Sequence, residues 1–268
     1  NFSRLGLSRL TSTHYKESGE SYRLDIYKDV PESEKHKPTF LTLEGSNIEL
    51  PLGYITDLKE DGDFRSQESI AILQECDIVV TNPPFSLFRE FIIQLFDYQK
   101  DFLIIGNQNA ITYKEIFNYL QSNQMWLGAN YGDMAFKVPD HYEPRKTRFW
   151  IDDFGQKWRS LGNICWFTNL DFKKRHEDLI LYKKYTPDEF PKYDEYDAIN
   201  VNKVAEIPYD YDGIMGVPIT FLNKRSPEQF DLIGIDRYVP DNPHYGKRFT
   251  LNNKEVYARI LIKRKASK

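Results

Sequence analysis

The segment best equipped for chemistry is Asp77-Ile-Val-Val-Thr-Asn82-Pro83-Pro84-Phe85-Ser86. Two consecutive prolines remove two backbone donors and stiffen the turn, so the carbonyls of Asn82 and Pro83 are not absorbed into a regular helix start. An asparagine side-chain oxygen beside a fixed backbone carbonyl can accept both hydrogens of an exocyclic amine, and the face of Phe85 can stack on a planar base. Those are the parts needed to hold an amino group while its nitrogen attacks an electrophilic methyl. Asn-Pro-Pro is also a common turn between a strand and a helix, so its setting matters.

The flanking pattern supplies that setting. Cys76 to Thr81 is a short, nearly continuous apolar run, which predicts a strand buried on both faces of a parallel sheet. Phe88, Phe91, Ile92, Leu95 and Phe96 recur at helical spacing, so a helix is expected at once after the prolines. Asp101 to Gly106 predicts another buried strand, and Ile116, Phe117 and Leu120 place a helix over Lys114 to Gln121. Strand, helix, strand, helix is the order of a doubly wound α/β sheet, in which ligands bind outside the carboxyl ends of the strands. Asn82 stands at such an end, and Asn107, which ends the next strand, could line the same pocket or be a turn residue.

Upstream, Leu7 to Thr13 and Ser21 to Tyr27 alternate like strands, followed by a polar stretch and a strand-like Thr39 to Leu43. Ser69 to Leu73 falls within a helical pattern over Phe64 to Glu75. Beyond residue 125, Met125 to Gly128, Met134 to Val138 and Ile164 to Thr168 read as further strands, the later ones antiparallel. From His176 the pattern is irregular, with an acidic, tyrosine-rich stretch from Asp188 to Asp212 and a strand-like Val217 to Leu222.

Preceded by Asp-Ile-Val-Val and followed by an aromatic residue and a helix, the asparagine turn resembles motif IV of the S-adenosylmethionine-dependent amino-methyltransferases. The run Thr81-Asn-Pro-Pro-Phe-Ser-Leu-Phe-Arg-Glu90 is joined by Gly62-Asp-Phe-Arg-Ser66 upstream. Gly216-Val-Pro-Ile-Thr-Phe-Leu222 and Ser226-Pro-Glu-Gln-Phe230 lie downstream. Together these blocks resemble the EcoRI-type adenine-specific DNA methyltransferase family. Asn-Pro-Pro-Phe alone is shared with enzymes that methylate the glutamine amide of release factors or RNA bases, and an inactive nucleic-acid-binding module is a further alternative.

The resemblance implies a Rossmann-like methyltransferase sheet over residues 1–175 and a less regular target-recognition region over 176–268. It implies transfer of a methyl group from S-adenosylmethionine to N6 of a flipped-out adenine in double-stranded DNA. The enzyme would be a cytoplasmic monomer and the modification half of a restriction system. Asn82, Pro83, Pro84 and Phe85 would form the catalytic loop. Asp63, Phe64 and Asn82 would hold the cofactor, although Asp63 also reads as a turn residue in Glu60-Asp-Gly-Asp63. The acidic residue expected on the ribose hydroxyls is missing after Leu10-Thr-Ser-Thr-His-Tyr15, with Tyr15 or Glu17 as substitutes. The family's first strand and cofactor loop are expected upstream of Asn1.

Composition narrows the alternatives. The 268 residues contain 14 glycines and 14 prolines, which excludes collagen-like and low-complexity chains. The longest apolar run, around Phe102 to Ile105, is far too short for a membrane span. Cys76 and Cys165 lie in apolar segments, as expected in a reducing compartment, and five scattered histidines lack metal-ligand spacing. The formal charge of −4 hides a gradient: Lys224 to Lys268 carries eleven basic and five acidic residues. That basic tail and the stretch Arg145 to Arg148, Lys157, Arg159 and Lys173 to Arg175 are candidate phosphate contacts, with Lys247 and Arg248 singled out in the tail.

Overall fold

The computed structural model describes residues 6–16, 20–29, 53–130 and 134–266. The chain divides into two compact units, Asn1–Asp77 and Ile78–Lys268.

In the first unit, β1 (Arg9–His14), β2 (Tyr22–Tyr27) and β3 (Gly53–Asp57) form an antiparallel sheet in that order. The strands expected over Leu7 to Thr13 and Ser21 to Tyr27 form as β1 and β2, and the strand expected at Thr39 to Leu43 lies outside the described residues. Asp25 ties the sheet to α1 (Gln67–Glu75): it accepts from Arg9 at 3.0 Å and Arg23 at 2.6 Å, and both arginines pair with Glu75 at the end of the helix. The Ser66 side chain accepts from the Ser69 amide at 3.1 Å, so α1 starts at a side-chain cap rather than at Phe64.

The second unit opens with β4 (Ile78–Thr81), α2 (Phe88–Asp97), β5 (Asp101–Asn107), α3 (Lys114–Gln121) and β6 (Trp126–Leu127). β4 and β5 are parallel, joined by a crossover through α2. β10 (Ile164–Thr168) inserts antiparallel between β5 and β6, giving the order β4-β5-β10-β6. This is a mixed α/β sheet. One expectation fails: among the described residues β4 is an edge strand in this sheet, with Ile78 45% and Val80 65% exposed, so it is not buried on both faces. An apolar run reports what a strand could bury, whereas its burial depends on what lies beside it.

Between β6 and β10, β7 (Met134–Lys137), β8 (Phe149–Ile151) and β9 (Lys157–Leu161) make a separate antiparallel sheet in the order β7-β9-β8. After residue 176 the chain is more regular than its pattern suggested. β11 (Ala198–Asn200), β12 (Ile214–Pro218), β13 (Phe230–Ile235) and β16 (Arg259–Arg264) form a four-stranded sheet ordered β11-β12-β16-β13. β14 (Thr250–Leu251) and β15 (Lys254–Glu255) form a small hairpin turned by Asn252 and Asn253, both at positive φ. Tyr193, Ala198, Val239, Phe249 and Leu261 cluster in a core of this region. The strand expected over Val217 to Leu222 ends at Pro218, and a 3-10 turn over Ile219–Asn223 buries Phe221 and Leu222 together. Consecutive residues of a strand would point to opposite faces.

Among the described residues no helix is long and apolar enough to cross a membrane.

Candidate active site

The loop from Asn82 to Leu87 leaves β4 at Thr81, whose register partner is Ile104 of β5. It does not enter a helix directly. Phe85–Leu87 forms a single 3-10 turn, closed by the Leu87 amide donating to the Pro84 carbonyl at 2.9 Å, before α2 begins at Phe88. Phe88, 1% exposed, pins the far end. Its ring lies over Gly106 of β5, where an added Cβ would come within 2.4 Å of it, and packs 4.9 Å from the ring of Phe167. The loop is therefore held at one end by strand pairing and at the other by an aromatic plug. Between these anchors Pro83 is buried, while Asn82, Pro84 and Phe85 are exposed. Among the described residues, no hydrogen bond occupies the Asn82 side chain or the Pro83 carbonyl. Both acceptors are open, and Phe85 presents its ring beside them in the chain.

Asp63, Phe64 and Tyr15 belong to the first unit, in which the Asp61–Gly62 turn just before Asp63 lies against residues 14–16 at the end of β1. Gly62 makes this possible. Its φ is +78°, and a Cβ there would lie 2.8 Å from the His14 carbonyl oxygen and 3.3 Å from Cα of Tyr15, so only glycine allows this approach to the end of β1. The Lys16 amide donates to the Asp61 carbonyl at 3.2 Å and closes the contact. Asp63 Oδ1 accepts from the Arg65 amide at 2.9 Å and from Arg65 Nε at 2.8 Å, while Oδ2 accepts from Arg65 Nη2 at 2.8 Å. The Arg65 hydrogen bond holds the Asp63 carboxyl below its ordinary pKa. Three bonds leave a carboxylate with accepting capacity to spare, on Oδ2 in particular. Phe64 is half-buried, with the Arg65 guanidinium 5.3 Å from its ring centre, and Tyr15 is 53% exposed. Glu17 lies outside the described residues.

Other expectations resolve differently. The Asn107 side chain accepts from the Asn109 amide at 2.9 Å, which makes it the cap of the following 3-10 turn. Of the two tail residues singled out, Arg248 is half-buried with its guanidinium 3.4 Å from the fully buried Asp236 carboxylate, whereas Lys247 is exposed. In the other basic stretch, Arg159 donates to the Thr147 carbonyl at 2.7 Å and Trp150 stacks on Trp158 at 6.3 Å, so part of that stretch is spent on folding the β7-β9-β8 sheet. Burial pushes the Cys165 thiol up to about 12, consistent with a core residue. Among the described residues no group of three or more His, Cys, Asp or Glu could hold a metal ion.

The model of the adenine-specific EcoRI methyltransferase family matches residues 1–265. The chain belongs to that family. It is an adenine-specific DNA methyltransferase. This EcoRI-family enzyme is 48% identical over 270 residues to the type II methyltransferase M.EcoRI of Escherichia coli, a match covering 99% of the chain and 80% of the relative. It is 36% identical over 284 residues to the type II methyltransferase M.MpnI of Mycoplasma pneumoniae, covering 98% of the chain and 81% of the relative. A type II methyltransferase of Mycoplasma genitalium is 39% identical over 230 residues, covering 78% and 71%. No solved structure matches the EcoRI-family chain.

Proposed function

We propose that this enzyme methylates N6 of a flipped-out adenine in double-stranded DNA, with S-adenosylmethionine as the methyl donor. It would do so as a cytoplasmic monomer and as the modification half of a restriction system. The observation that carries the reading is the open pair of acceptors on a loop fixed at both ends: the Asn82 side chain and the Pro83 carbonyl. Accepting both amino hydrogens of adenine would build negative charge on N6 and orient its lone pair. Pro84 would keep the turn from relaxing, and Phe85 would stack on the extruded base. Acceptors already in place need no reorganisation during the reaction, which is where preorganised polar groups contribute most. The parallel β4-α2-β5 crossover, with the loop at the carboxyl end of β4, supports a Rossmann-like sheet as its scaffold.

The residues of the first unit suit the adenosine end of the donor. Gly62 leaves no room for a side chain against β1, Asp63 keeps an acceptor for an amino group, and Phe64 offers a half-buried ring. Tyr15 or Glu17 would take the place of the acidic residue expected on the ribose hydroxyls. S-adenosylmethionine, when bound, supplies a methyl group activated by its sulfonium. Residues 1–175 would form the catalytic part and residues 176–268 the part that selects the target.

Incubating the full protein with DNA, RNA or release-factor protein and radiolabelled S-adenosylmethionine tests the reading. Label should appear in N6-methyladenine from DNA. Label confined to RNA or to protein amides, or none at all, would refute it. Asn82→Ala should lower transfer by about 100- to 1000-fold, with a much smaller loss of affinity for S-adenosylmethionine.

A further inference from the structure

The side of α3 that faces the C-terminal chain carries a second feature of the second unit. At the last turn of α3, the Gln121 amide donates to the carbonyls of Leu232 and Ile233 in β13, at 3.2 and 2.8 Å. At its first residue, the Lys114 ammonium donates to the Tyr245 hydroxyl at 3.0 Å. The chain leaving β13 thus follows α3 from its C-terminal end to its N-terminal end. That end stands just beyond the carboxyl end of β5, and Glu115 there lies 3.6 Å from Arg89 in the first turn of α2, which the Asn82 loop feeds. Tyr245 is therefore carried to the same end of the sheet as the Asn-Pro-Pro-Phe loop.

The segment from Arg237 to Lys247 that bears Tyr245 is a closed Ω-loop. The buried Asp236 carboxylate accepts from the Arg237 amide at 2.9 Å and from Arg248 at 3.4 Å, so it clamps both ends. Asn242, 4% exposed, donates to the carbonyls of Asp236 at 2.9 Å and Lys247 at 3.3 Å and accepts from the His244 amide at 2.8 Å. The Gly246 amide, at φ +91°, donates to the Arg237 carbonyl at 2.7 Å. Outward from this frame stand His244, Lys247, Asp241 and Tyr245, the last 55% exposed with its ring centre 5.9 Å from that of Tyr238. Arg237 is half-buried, its Nε lacks a hydrogen-bond partner, and it pairs with no carboxylate among the described residues.

A closed loop that displays an aromatic ring, with Arg237 and Lys247 against the single carboxylate of Asp241 between them, suits a polyanion with planar bases. Lys114 engages the hydroxyl of Tyr245, which fixes the ring's direction. We propose that the Arg237–Lys247 loop is a DNA-contacting element and that Tyr245, aimed by Lys114, packs against a base of the duplex beside the adenine being methylated. This inference rests on the reading of the Asn82 loop as the amine-binding site. It makes Tyr245 a substrate-positioning contact and Lys114 the residue that orients it across the join between sheet and C-terminal region.

The test uses the full protein and plasmid DNA free of adenine methylation. Tyr245→Ala should raise the KM for DNA about tenfold, the scale of one lost base-stacking contact. Its melting temperature and its affinity for S-adenosylmethionine should stay unchanged. Tyr245→Phe, which keeps the ring and loses only the bond to Lys114, should raise the KM about two- to threefold. A Tyr245→Ala enzyme with wild-type KM and kcat overturns the inference, as does a KM rise in both variants that only parallels a fall in melting temperature. If the unsubstituted protein methylates no DNA, the reading of the Asn82 loop fails instead, and the two failures are told apart by that control.

Discussion

The Asn82–Phe85 loop and the Asp61–Arg65 loop are held by opposite means. The first is stiffened covalently: two prolines restrict its backbone, and the Asn82 side chain and the Pro83 carbonyl carry no hydrogen bonds among the described residues. The second is stiffened by hydrogen bonds that saturate most of its own acceptor, since the Asp63 carboxylate takes three from Arg65 and the Asp63 amide donates to Asp61 at 2.9 Å. The difference follows from the tasks proposed for them. A loop that must accept both hydrogens of an amine cannot use those acceptors to hold its own shape, so proline does that work. A loop that needs one directed acceptor beside a ring can spend the remaining lone pairs on rigidity.

The largest effect that would break this contrast belongs to Asn82. Asn82→Ala removes one of two preorganised acceptors and should lower kcat by about 100- to 1000-fold, the scale of removing one preorganised polar group at a reacting centre. Single-turnover methylation checks this, and an S-adenosylmethionine affinity that fell equally would merge the two loops into one function. Next comes Gly62→Ala. At φ +78°, with the His14 carbonyl oxygen 2.8 Å from the new Cβ, the first unit should lose about 1 to 3 kcal/mol. Thermal melting reads this directly, and an unchanged melting temperature would mean that the loop does not depend on its approach to β1.

How much of this was legible in the sequence depends on whether a feature is local. The helix at Lys114 to Gln121 was readable residue for residue, because Ile116, Phe117 and Leu120 repeat with the helix period. The catalytic loop was readable because prolines act on their own backbone. The exposure of Ile78 and Val80 was not, since it is a property of the neighbours of β4. Nor was the engagement of Asp63 by a residue two positions away, which needs a particular turn and rotamer. The C-terminal sheet was missed because β11, β12, β13 and β16 pair across intervals of more than a dozen residues, and only their pairing gives Ala198 to Asn200 or Phe230 to Ile235 a common core. Lys114 and Tyr245 lie 131 positions apart, and no periodicity links them.

Covalent stiffness predicts a smaller, separable effect at Pro84. Pro84→Ala keeps every acceptor and restores backbone freedom worth about 0.4 to 1 kcal/mol, so kcat should fall roughly two- to fivefold with the cofactor affinity unchanged. Stopped-flow methylation at saturating DNA and cofactor resolves a change of that size. A rate equal to that of the unsubstituted enzyme would show that the anchors at Thr81 and Phe88 suffice, and that the second proline serves folding rather than preorganisation.

The smallest effect concerns the hydrogen-bonded loop and appears only in acid. Because Arg65 holds the Asp63 carboxyl below its ordinary pKa, the stability contributed by that pair is present above the unfolded pKa of Asp63. It is lost only as the pH falls through the lowered folded value. At neutral pH the carboxylate is ionised with or without Arg65. Arg65→Gln should therefore change S-adenosylmethionine affinity little at neutral pH while shifting its acid loss upward, toward the pH at which an ordinary aspartate titrates. Cofactor affinity measured in steps from neutral pH down through the carboxylate range separates the two enzymes. Coincident acid profiles would mean that the arginine shapes the turn without tuning its carboxylate, and the hydrogen-bonded loop would then owe its rigidity chiefly to Gly62 and its contact with β1.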